Sequence, residues 1–342
     1  MVLLWCSSPR LTAAVVGGIF FPQREALGLD AKEWTPLLVQ RIVYAAAETR
    51  SFARAAVVLR EVGGNAVSPN TIQRITHAVG NELAALRDAQ EDEKAKSLCR
   101  PPEAPPELAV VQCDGGRIRT RREDRGPGVH EEQWRETKNA CLLRRRRFFE
   151  APARAFLGDG LPWNWSIQQT HFRQFTPILD FTHALSYIYA AALVTHDDAA
   201  AGWSRYLALA RACWQGRADE VVAALQGWLT RQGIDDDHPL AEDDPRCAVA
   251  DAVRYLTNNR QRMDYPRYRR QGLPTTSALM ESLVKEINYR VKGTEMFWND
   301  PGGAEAILQV RAAALCDDDR LARHLATRPG CSRVRRPLAD AA

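Results

Sequence analysis

The first regular pattern in the sequence is helical. Between residues 36 and 86, apolar side chains recur at the three- and four-residue spacing of amphipathic helices. A polar break at 49–51 divides the first stretch into two helices, and a glycine pair at 63–64 ends it. Ser68 followed by Pro69 is a typical helix start, with a capping residue and then proline. Three short helices with tight turns fit a helix-turn-helix, although the generic spacing favours a plain helical bundle.

A proline-rich segment follows this helical region. Residues 101–107 contain four prolines, which end any helix, so we expect a domain boundary there. The mostly apolar run 108–113 then stops at the Asp-Gly-Gly of 114–116, which is typical of a buried strand followed by a turn. Three further runs are predicted as strands, at 139–149, 153–158 and 175–179.

Carboxylates follow three of the predicted strands. Asp114 comes after the first, Asp159 after the strand at 153–158, and Asp180 after the last. Carboxylates at the C-terminal ends of several strands can build a site, because the loops there open onto a shared crevice. Asp-Gly is also a common turn dipeptide, so this pattern alone is weak.

The remainder of the chain returns to a helical pattern. It runs from residue 184 to about 258, with an acidic loop between helices at 235–245. A last helix is predicted over 278–293, with apolar residues four positions apart on one face: Leu279, Leu283, Ile287 and Val291.

Composition places the chain among ordinary globular proteins. Of its 342 residues, 45% are apolar and 26% charged, and the net charge of +4 does not by itself indicate nucleic acid. No apolar run reaches the roughly 18–20 residues of a membrane span, so we expect no membrane partner. The first 20 residues lack the charged start of a signal peptide. Eight scattered cysteines without a CxxC pair favour reduced thiols in the cytoplasm over a disulfide scaffold or zinc ribbon.

Charge is unevenly distributed along the chain. Two basic segments, 115–154 and 254–292, flank an acidic one at 197–251. This pattern fits several solvated faces, or a basic groove for a polyanion beside a module that stays away from it. Arginines close to Asp114 would suit a phosphate backbone, although each has a solvated surface position as an equal explanation.

Three acidic residues are candidates for a shared site. Asp114, Asp159 and Glu281 come from distant parts of the chain and would repel one another unless they are protonated or bind cations. Oxygen ligands suit Mg²⁺ or Mn²⁺. Two such ions about 4 Å apart can activate a nucleophile and stabilise the leaving oxygen of a phosphodiester.

Several segments resemble a known family when they are taken together and in order. They are VVQCDGGRIRTR (110–121), GDGLPWNW (158–165), ILDFTHALSYI (178–188) and LMESLVKEINYRVKGTEMFW (279–298), with FFPQREALGL (20–29) and AETRSFARAA (47–56) before them. Over roughly residues 20–315 the chain resembles DDE transposases of bacterial insertion sequences, in the Mutator-like superfamily.

The resemblance implies an α/β fold with an RNase H-like mixed-sheet core, an all-α insertion and an N-terminal helical domain. It implies Asp114, Asp159 and Glu281 as catalytic residues and ligands of Mg²⁺ or Mn²⁺, and Asp180 and His183 as an auxiliary DxxH motif with a structural or phosphate-contacting role. The implied DNA contacts are Arg117, Arg119, Arg121, Arg290 and Lys292.

Two assignments stay open within the resemblance. Asp180 is an alternative to Asp159 as the second carboxylate, and Glu286 is an alternative to Glu281 as the third. The N-terminus also departs from the family, since only Cys6 stands in the first 98 residues where relatives carry a cysteine-rich segment.

The expected organisation is a series of consecutive segments. They are an atypical N-terminus (1–19), a helical DNA-binding domain (20–100), a linker (101–107), the first part of the core (108–183), the insertion (184–275), and the third-carboxylate helix with the tail (276–342). The expected function is DNA cutting and rejoining by a transposase that acts as a homo-oligomer on transposon ends and target DNA. The alternatives are an RNase H-like nuclease without strand transfer and a truncated, non-catalytic DNA-binding remnant.

Overall fold

A computed structural model describes most of the chain. The described residues are 11–12, 19–20, 34–89, 105–120, 133–143, 148–234, 240–241, 243–292, 298–299 and 301–328. The predictions for Arg121, and for most of 1–19 and 101–107, lie outside these residues. The fold is mixed α/β with helices predominating, which agrees with the predicted class.

The elements follow one another in this order: β1 (Leu11–Thr12), β2 (Ile19–Phe20), α1 (Pro36–Glu48), α2 (Phe52–Glu61), α3 (Pro69–Asp88), β3 (Leu108–Thr120), β4 (Gln133–Leu143), β5 (Ala153–Gly158), α4 (Pro162–His171), β6 (Thr176–Leu179), α5 (Phe181–Val194), α6 (Ala199–Trp214), α7 (Ala218–Arg231), α8 (Cys247–Asn259), α9 (Tyr265–Arg270), α10 (Ala278–Val291), α11 (Pro301–Leu315) and α12 (Arg320–Thr327). Short 3₁₀ turns lie at Phe148–Glu150 and Arg260–Arg262.

These elements form two compact units. The helical unit comprises Met1–Arg100, Arg117–Arg135 and Glu286–Ala342, and the sheet unit comprises Pro101–Gly116 and Glu136–Lys285. Both units are discontinuous in sequence, and the C-terminal helices belong with the N-terminal ones. The domains expected from the sequence are consecutive segments and contain no such grouping.

Helix capping defines the start of the helical unit. The side-chain oxygens of Thr35, Ser51 and Ser68 each accept a hydrogen bond from a backbone N–H three residues further on. The predicted break at 49–51 and the predicted helix start at Ser68 are therefore confirmed. Helices α1, α2 and α3 share a core with α11 and α12, so the three N-terminal helices form part of a larger bundle.

Helices α3 and α11 approach each other closely at Gly80. A Cβ atom added to Gly80 would lie 2.1 Å from the carbonyl oxygen of Ala306. Only a residue without a side chain fits this crossing.

The sheet contains four strands in the order β4-β3-β5-β6, and β3, β5 and β6 run parallel. Cys113 pairs with Gly158, and Gly158 pairs with Leu179. The residue after each of these three is an aspartate: Asp114, Asp159 and Asp180. The register therefore places three aspartates in one row across adjacent strands, directly after the ends of β5 and β6 and within β3, just past the segment that pairs with β5.

Two strand predictions need correction. The strand predicted to end at residue 113 continues to Thr120, because Gly115 and Gly116 extend the strand instead of turning it. A Cβ at Gly115 would lie 3.2 Å from Glu136 Oε1, so glycine here permits a close approach. The strand predicted at 139–149 is instead β4, Gln133–Leu143, and Phe148–Glu150 is a 3₁₀ turn.

The helical run after the sheet agrees with the prediction. Helices α5 to α8 occupy most of the interval that was expected to be helical, and their apolar faces share one core with β3, β5 and β6. Helix α10 is also confirmed, but the prediction of which of its residues are buried is wrong in part. Leu279 is exposed, whereas Met280, Ile287 and Val291 are buried.

Candidate metal centre

Two of the predicted carboxylates and one histidine come together where β5 ends, beside the middle of β3. Asp114, Asp159 and His183 each offer one ligand atom, and these atoms all lie within 4.8 Å of one another. All three side chains are partly accessible to solvent. Asp114 belongs to β3, Asp159 directly follows β5, and His183 lies in the first turn of α5.

The carboxylate of Asp159 is oriented by its own loop. Its Oδ1 accepts a hydrogen bond from the Leu161 N–H at 3.0 Å and another from the side-chain amide of Asn164. Asn164 is fully buried, and its side chain packs against Gly158, where a Cβ would be only 3.0 Å away. Both hydrogen bonds end on Oδ1, so Oδ2 remains available to a ligand.

Asp180 fixes the position of His183. It caps α5 by accepting the Thr182 N–H at 2.8 Å, and its Oδ2 lies 3.0 Å from His183 Nδ1. The Ser277 hydroxyl donates to the same Oδ2. Because Nδ1 faces Asp180, Nε2 is the His183 nitrogen left for a ligand. Asp180 is completely buried and occupied by these bonds, so the structure brings Asp159, and not Asp180, together with Asp114.

The electrostatics of the centre favour a bound cation. Burial raises the pKa of the Asp114 carboxyl, and the charge of Asp159 raises it further. Burial also raises the pKa of Asp159. Burial acts in the same direction on Asp180, but the hydrogen bonds it accepts, first from His183, outweigh this and lower its pKa. Two partly buried carboxylates with raised pKa values are stabilised in their charged form by a cation between them.

The donor set combines two carboxylates with one imidazole. Carboxylate oxygens suit Mg²⁺ and Mn²⁺, whereas an imidazole nitrogen favours a transition metal over Mg²⁺. A metal-binding histidine commonly uses its other ring N–H to donate a hydrogen bond to a carboxylate, and His183 Nδ1 lies 3.0 Å from the Asp180 carboxylate. Asp114, Asp159 and His183 therefore fit a divalent ion, and they fit Mn²⁺ better than Mg²⁺.

Glu281 does not join the cluster. It lies in the first turn of α10, and its carboxylate is not among the ligand atoms that come together. The start of α10 is nevertheless attached near the centre. The Met280 N–H donates to Gln112 Oε1 at 3.1 Å, two residues before Asp114, and Ser277 binds Asp180. The alternative third carboxylate, Glu286, forms an ion pair with Arg311 in the helical unit at 3.1 Å.

The residues predicted to bind DNA have different environments. Arg117 and Lys292 are exposed. Arg119 is half-buried, with its guanidinium 5.6 Å from the centre of the Trp134 ring. Arg117 and Arg119 are two residues apart on β3 and therefore share one face of the strand.

Arg290 is buried, which contradicts its prediction as a DNA contact. Its side chain is buried, its Nε donates to the carbonyl of Ala46 at 2.8 Å, and its guanidinium lies 4.6 Å from the centre of the Phe52 ring. Arg311 is equally buried and donates to the carbonyl of Ala47 at 3.3 Å. Two arginines thus cap the C-terminal end of α1, where unpaired carbonyls attract positive charge. Arg290 is a structural residue in this arrangement, inaccessible to a phosphate.

Sequence reasoning missed four residues that shape the centre: Gln112, Asn164, Tyr255 and Ser277. Ser277 carried a signal, since a serine directly before a predicted helix is a typical cap. The other three carried none, because their partners are fixed only by the folded chain.

No protein-family model and no curated protein matches this sequence. Among the described helices, none combines the length and the apolar character that crossing a membrane requires.

Proposed function

We propose that this chain is a DNA transposase that cuts and rejoins DNA strands by metal-dependent phosphoryl transfer. The observation that carries the proposal is the meeting of Asp114, Asp159 and His183 at one edge of a mixed sheet. The order of the sequence motifs supplies the identity of the substrate. DNA, Mn²⁺ or Mg²⁺, and assembly into a homo-oligomer that joins two element ends are all parts of this proposal.

We further propose that the sheet is an RNase H-like core. A mixed sheet is consistent with it, as is the run of helices α5 to α9 between β6 and α10. In this arrangement the chain returns to the C-terminal edge of the sheet after the helices and places Glu281 on the returning helix.

The protein groups have separate parts in the proposed reaction. Asp114 and Asp159 would hold a divalent ion together with His183 Nε2. Such an ion, when bound, supplies an activated water or hydroxyl and stabilises the charge that develops on the phosphate. Asp180 keeps the His183 ring in place, and Arg117, three residues after Asp114 on β3, offers an exposed positive charge for the DNA backbone.

The test is strand cleavage by the purified chain on a DNA fragment that carries its coding sequence with the flanking DNA. With Mn²⁺, the wild-type protein should nick the ends and join them to a target plasmid. Asp114→Asn and Asp159→Asn should abolish both steps, and the exposed Asp219→Asn should change neither. Full activity in Asp114→Asn contradicts the proposal, and cleavage without joined products would identify a nuclease instead.

A non-catalytic DNA-binding remnant is the second candidate, and the position of Glu281 favours it. A site with only two of the three expected carboxylates could bind a metal without completing the reaction. This function would be supported if the chain binds Mn²⁺ and binds DNA in a salt-sensitive manner, but does not cleave the DNA fragment in the presence of Mn²⁺.

A further inference from the structure

Tyr255, in helix α8 of the sheet unit, contacts the loop that carries Asp159. Its hydroxyl donates to the main-chain carbonyl of Asp159 at 2.6 Å. Its ring lies against Gly160, where a Cβ would be 2.7 Å from the ring and where φ is +93°. Burial, followed by the charge of Asp159, raises the pKa of Tyr255 well above its usual value, so the hydroxyl keeps the proton that it donates.

The Tyr255 ring also stacks on Tyr187. The ring centres are 3.8 Å apart and the planes differ by 10°. Tyr187 lies in α5, four residues and so about one helical turn after His183. One aromatic pair therefore connects the helix that carries His183 to the loop that carries Asp159.

A second residue of α8 supports the same loop. Asn259, one turn after Tyr255, is buried. Its amide donates to the carbonyl of Gly160 at 3.5 Å and to that of Tyr255 at 3.0 Å, and its Oδ1 accepts the Trp165 indole N–H at 2.9 Å. Helix α8 thus holds the Asp159–Gly160 loop through one hydroxyl, one amide and the contact of one ring.

We propose that Tyr255 is a positioning residue of the candidate metal centre, which holds the Asp159 loop and the His183 helix at the spacing that a divalent cation requires. This inference rests on the metal site of the proposed function. It assigns to a helix more than 90 residues away in sequence a direct effect on the affinity of that site for metal. Tyr255 does not itself reach the ion, because its hydroxyl is bound to a main-chain oxygen.

Tyr268 provides a matched control within the same unit. Tyr268 is buried and Tyr255 partly buried, and the Tyr268 hydroxyl also donates to a main-chain carbonyl, that of Pro177 at 3.4 Å. Pro177 lies inside β6, three residues before Asp180, and carries no group of the centre. Replacing either tyrosine by phenylalanine removes one hydrogen-bonded hydroxyl and keeps the ring.

The experiment measures the binding of Mn²⁺ alone to the full chain, by electron paramagnetic resonance and calorimetry, well below the unfolding midpoint. Tyr255→Phe should weaken Mn²⁺ binding about tenfold, which is typical when a group that orients a ligand is lost. Tyr268→Phe should leave the affinity unchanged, although both variants should lower the unfolding midpoint to a similar extent. A purely structural role for Tyr255 would change the midpoints alone.

The outcomes separate this inference from the proposed function. Equal Mn²⁺ affinities in the two variants overturn the positioning role, whether or not the protein cuts DNA. Failure of the wild-type chain to bind Mn²⁺ overturns the positioning role and the metal site together. Selective loss of affinity in Tyr255→Phe, with no DNA cleavage by the wild-type protein, supports the positioning role and removes only the transposase.

Discussion

At the residue scale, His183 is held from one side and open on the other. Asp180 fixes Nδ1, and the hydrogen bond between them raises the pKa of His183. A protonated imidazole cannot bind a metal ion, so uptake of the ion at this position must release a proton. Metal affinity should therefore increase with pH until His183 is neutral.

His183 and Glu281 should differ in their contribution to Mn²⁺ binding. His183→Ala should weaken Mn²⁺ binding at least about tenfold, because it removes one of the three groups that meet. Glu281→Gln, which changes a carboxylate outside the cluster, should have a much smaller effect. Calorimetry with Mn²⁺ on both variants measures this, and circular dichroism confirms that they fold. The opposite order of effects would return the third ligand to Glu281.

Only part of the centre could be predicted at this scale. Asp114, Asp159 and Asp180 each follow a run with the apolar character of a strand, and that signal is local. The choice between His183 and Glu281 depends on distances between elements, which no local pattern contains. The burial of Arg290 could not be predicted for the same reason. An arginine in a basic stretch is expected to be exposed, and only the fold shows its contact with the carbonyl of Ala46 in α1.

At the element scale, the contact between α3 and α11 depends on Gly80. Gly80→Ala should destabilise the helical unit by about 1–3 kcal/mol, because the added methyl group would overlap Ala306 and force the helices apart. Gly227→Ala is the matched control in α7, where the nearest described atom to an added Cβ is the end of the Arg231 side chain at 3.5 Å. It should stabilise the protein by about 0.5–1 kcal/mol. Thermal unfolding measures both changes, and equal behaviour would contradict the close crossing.

A pH effect belongs to the contact between α3 and α12. Burial acts to raise the pKa of Glu82, but hydrogen bonds from His324 and Arg328 outweigh it and lower that pKa. The unfolded chain therefore takes up this proton at a higher pH than the folded one. The stabilisation by Glu82 is complete above its unfolded pKa and is lost as the pH falls through the lower folded value.

The measurement is the unfolding midpoint between neutral and acidic pH. Glu82→Gln should reduce the decline of the midpoint with acidification, and Glu61→Gln, at an exposed carboxylate that pairs with its neighbour Arg60, should leave the decline unchanged. The difference should be modest, since the Glu82 side chain is 38% exposed and water screens the interaction. Identical acid dependence in both variants would remove Glu82 from the stability of this contact.

Element boundaries were predicted where chemistry marks them. Hydroxyl caps set the starts of α1 to α3, with a proline after the cap in α1 and α3, and β5 matches its predicted range. The end of β3 was misplaced because a glycine pair indicates a turn as readily as a close approach between strands. The position of β4 was wrong because the first half of this strand, Trp134 apart, is polar or charged, and a search for apolar runs does not find such an edge strand.

At the scale of the whole molecule, the two units have separate apolar cores. A ligand of the sheet unit should therefore stabilise that unit selectively. Mn²⁺ at about a hundred times its Kd would contribute about 2.7 kcal/mol to the state that binds it. Hydrogen exchange should show greater protection in β5 and α5 with Mn²⁺ and no change in α1 to α3. Equal protection in both units would contradict their independence.

The tyrosine contacts have a consequence for the length of the chain. Helices α5 to α9 join β6 to the helix of Glu281, although the two ends of this interval are close, with the Phe181 N–H donating to the carbonyl of Thr275 at 2.9 Å. Yet hydroxyl groups from this interval hold the strand ends beside two of the aspartates, Tyr255 at Asp159 and Tyr265 at Leu179, the residue before Asp180. A variant in which a direct loop replaces helices α5 to α9 would keep the three aspartates but lose the tyrosine hydrogen bonds that hold their strand ends. We therefore expect that this interval cannot be replaced without altering the metal centre.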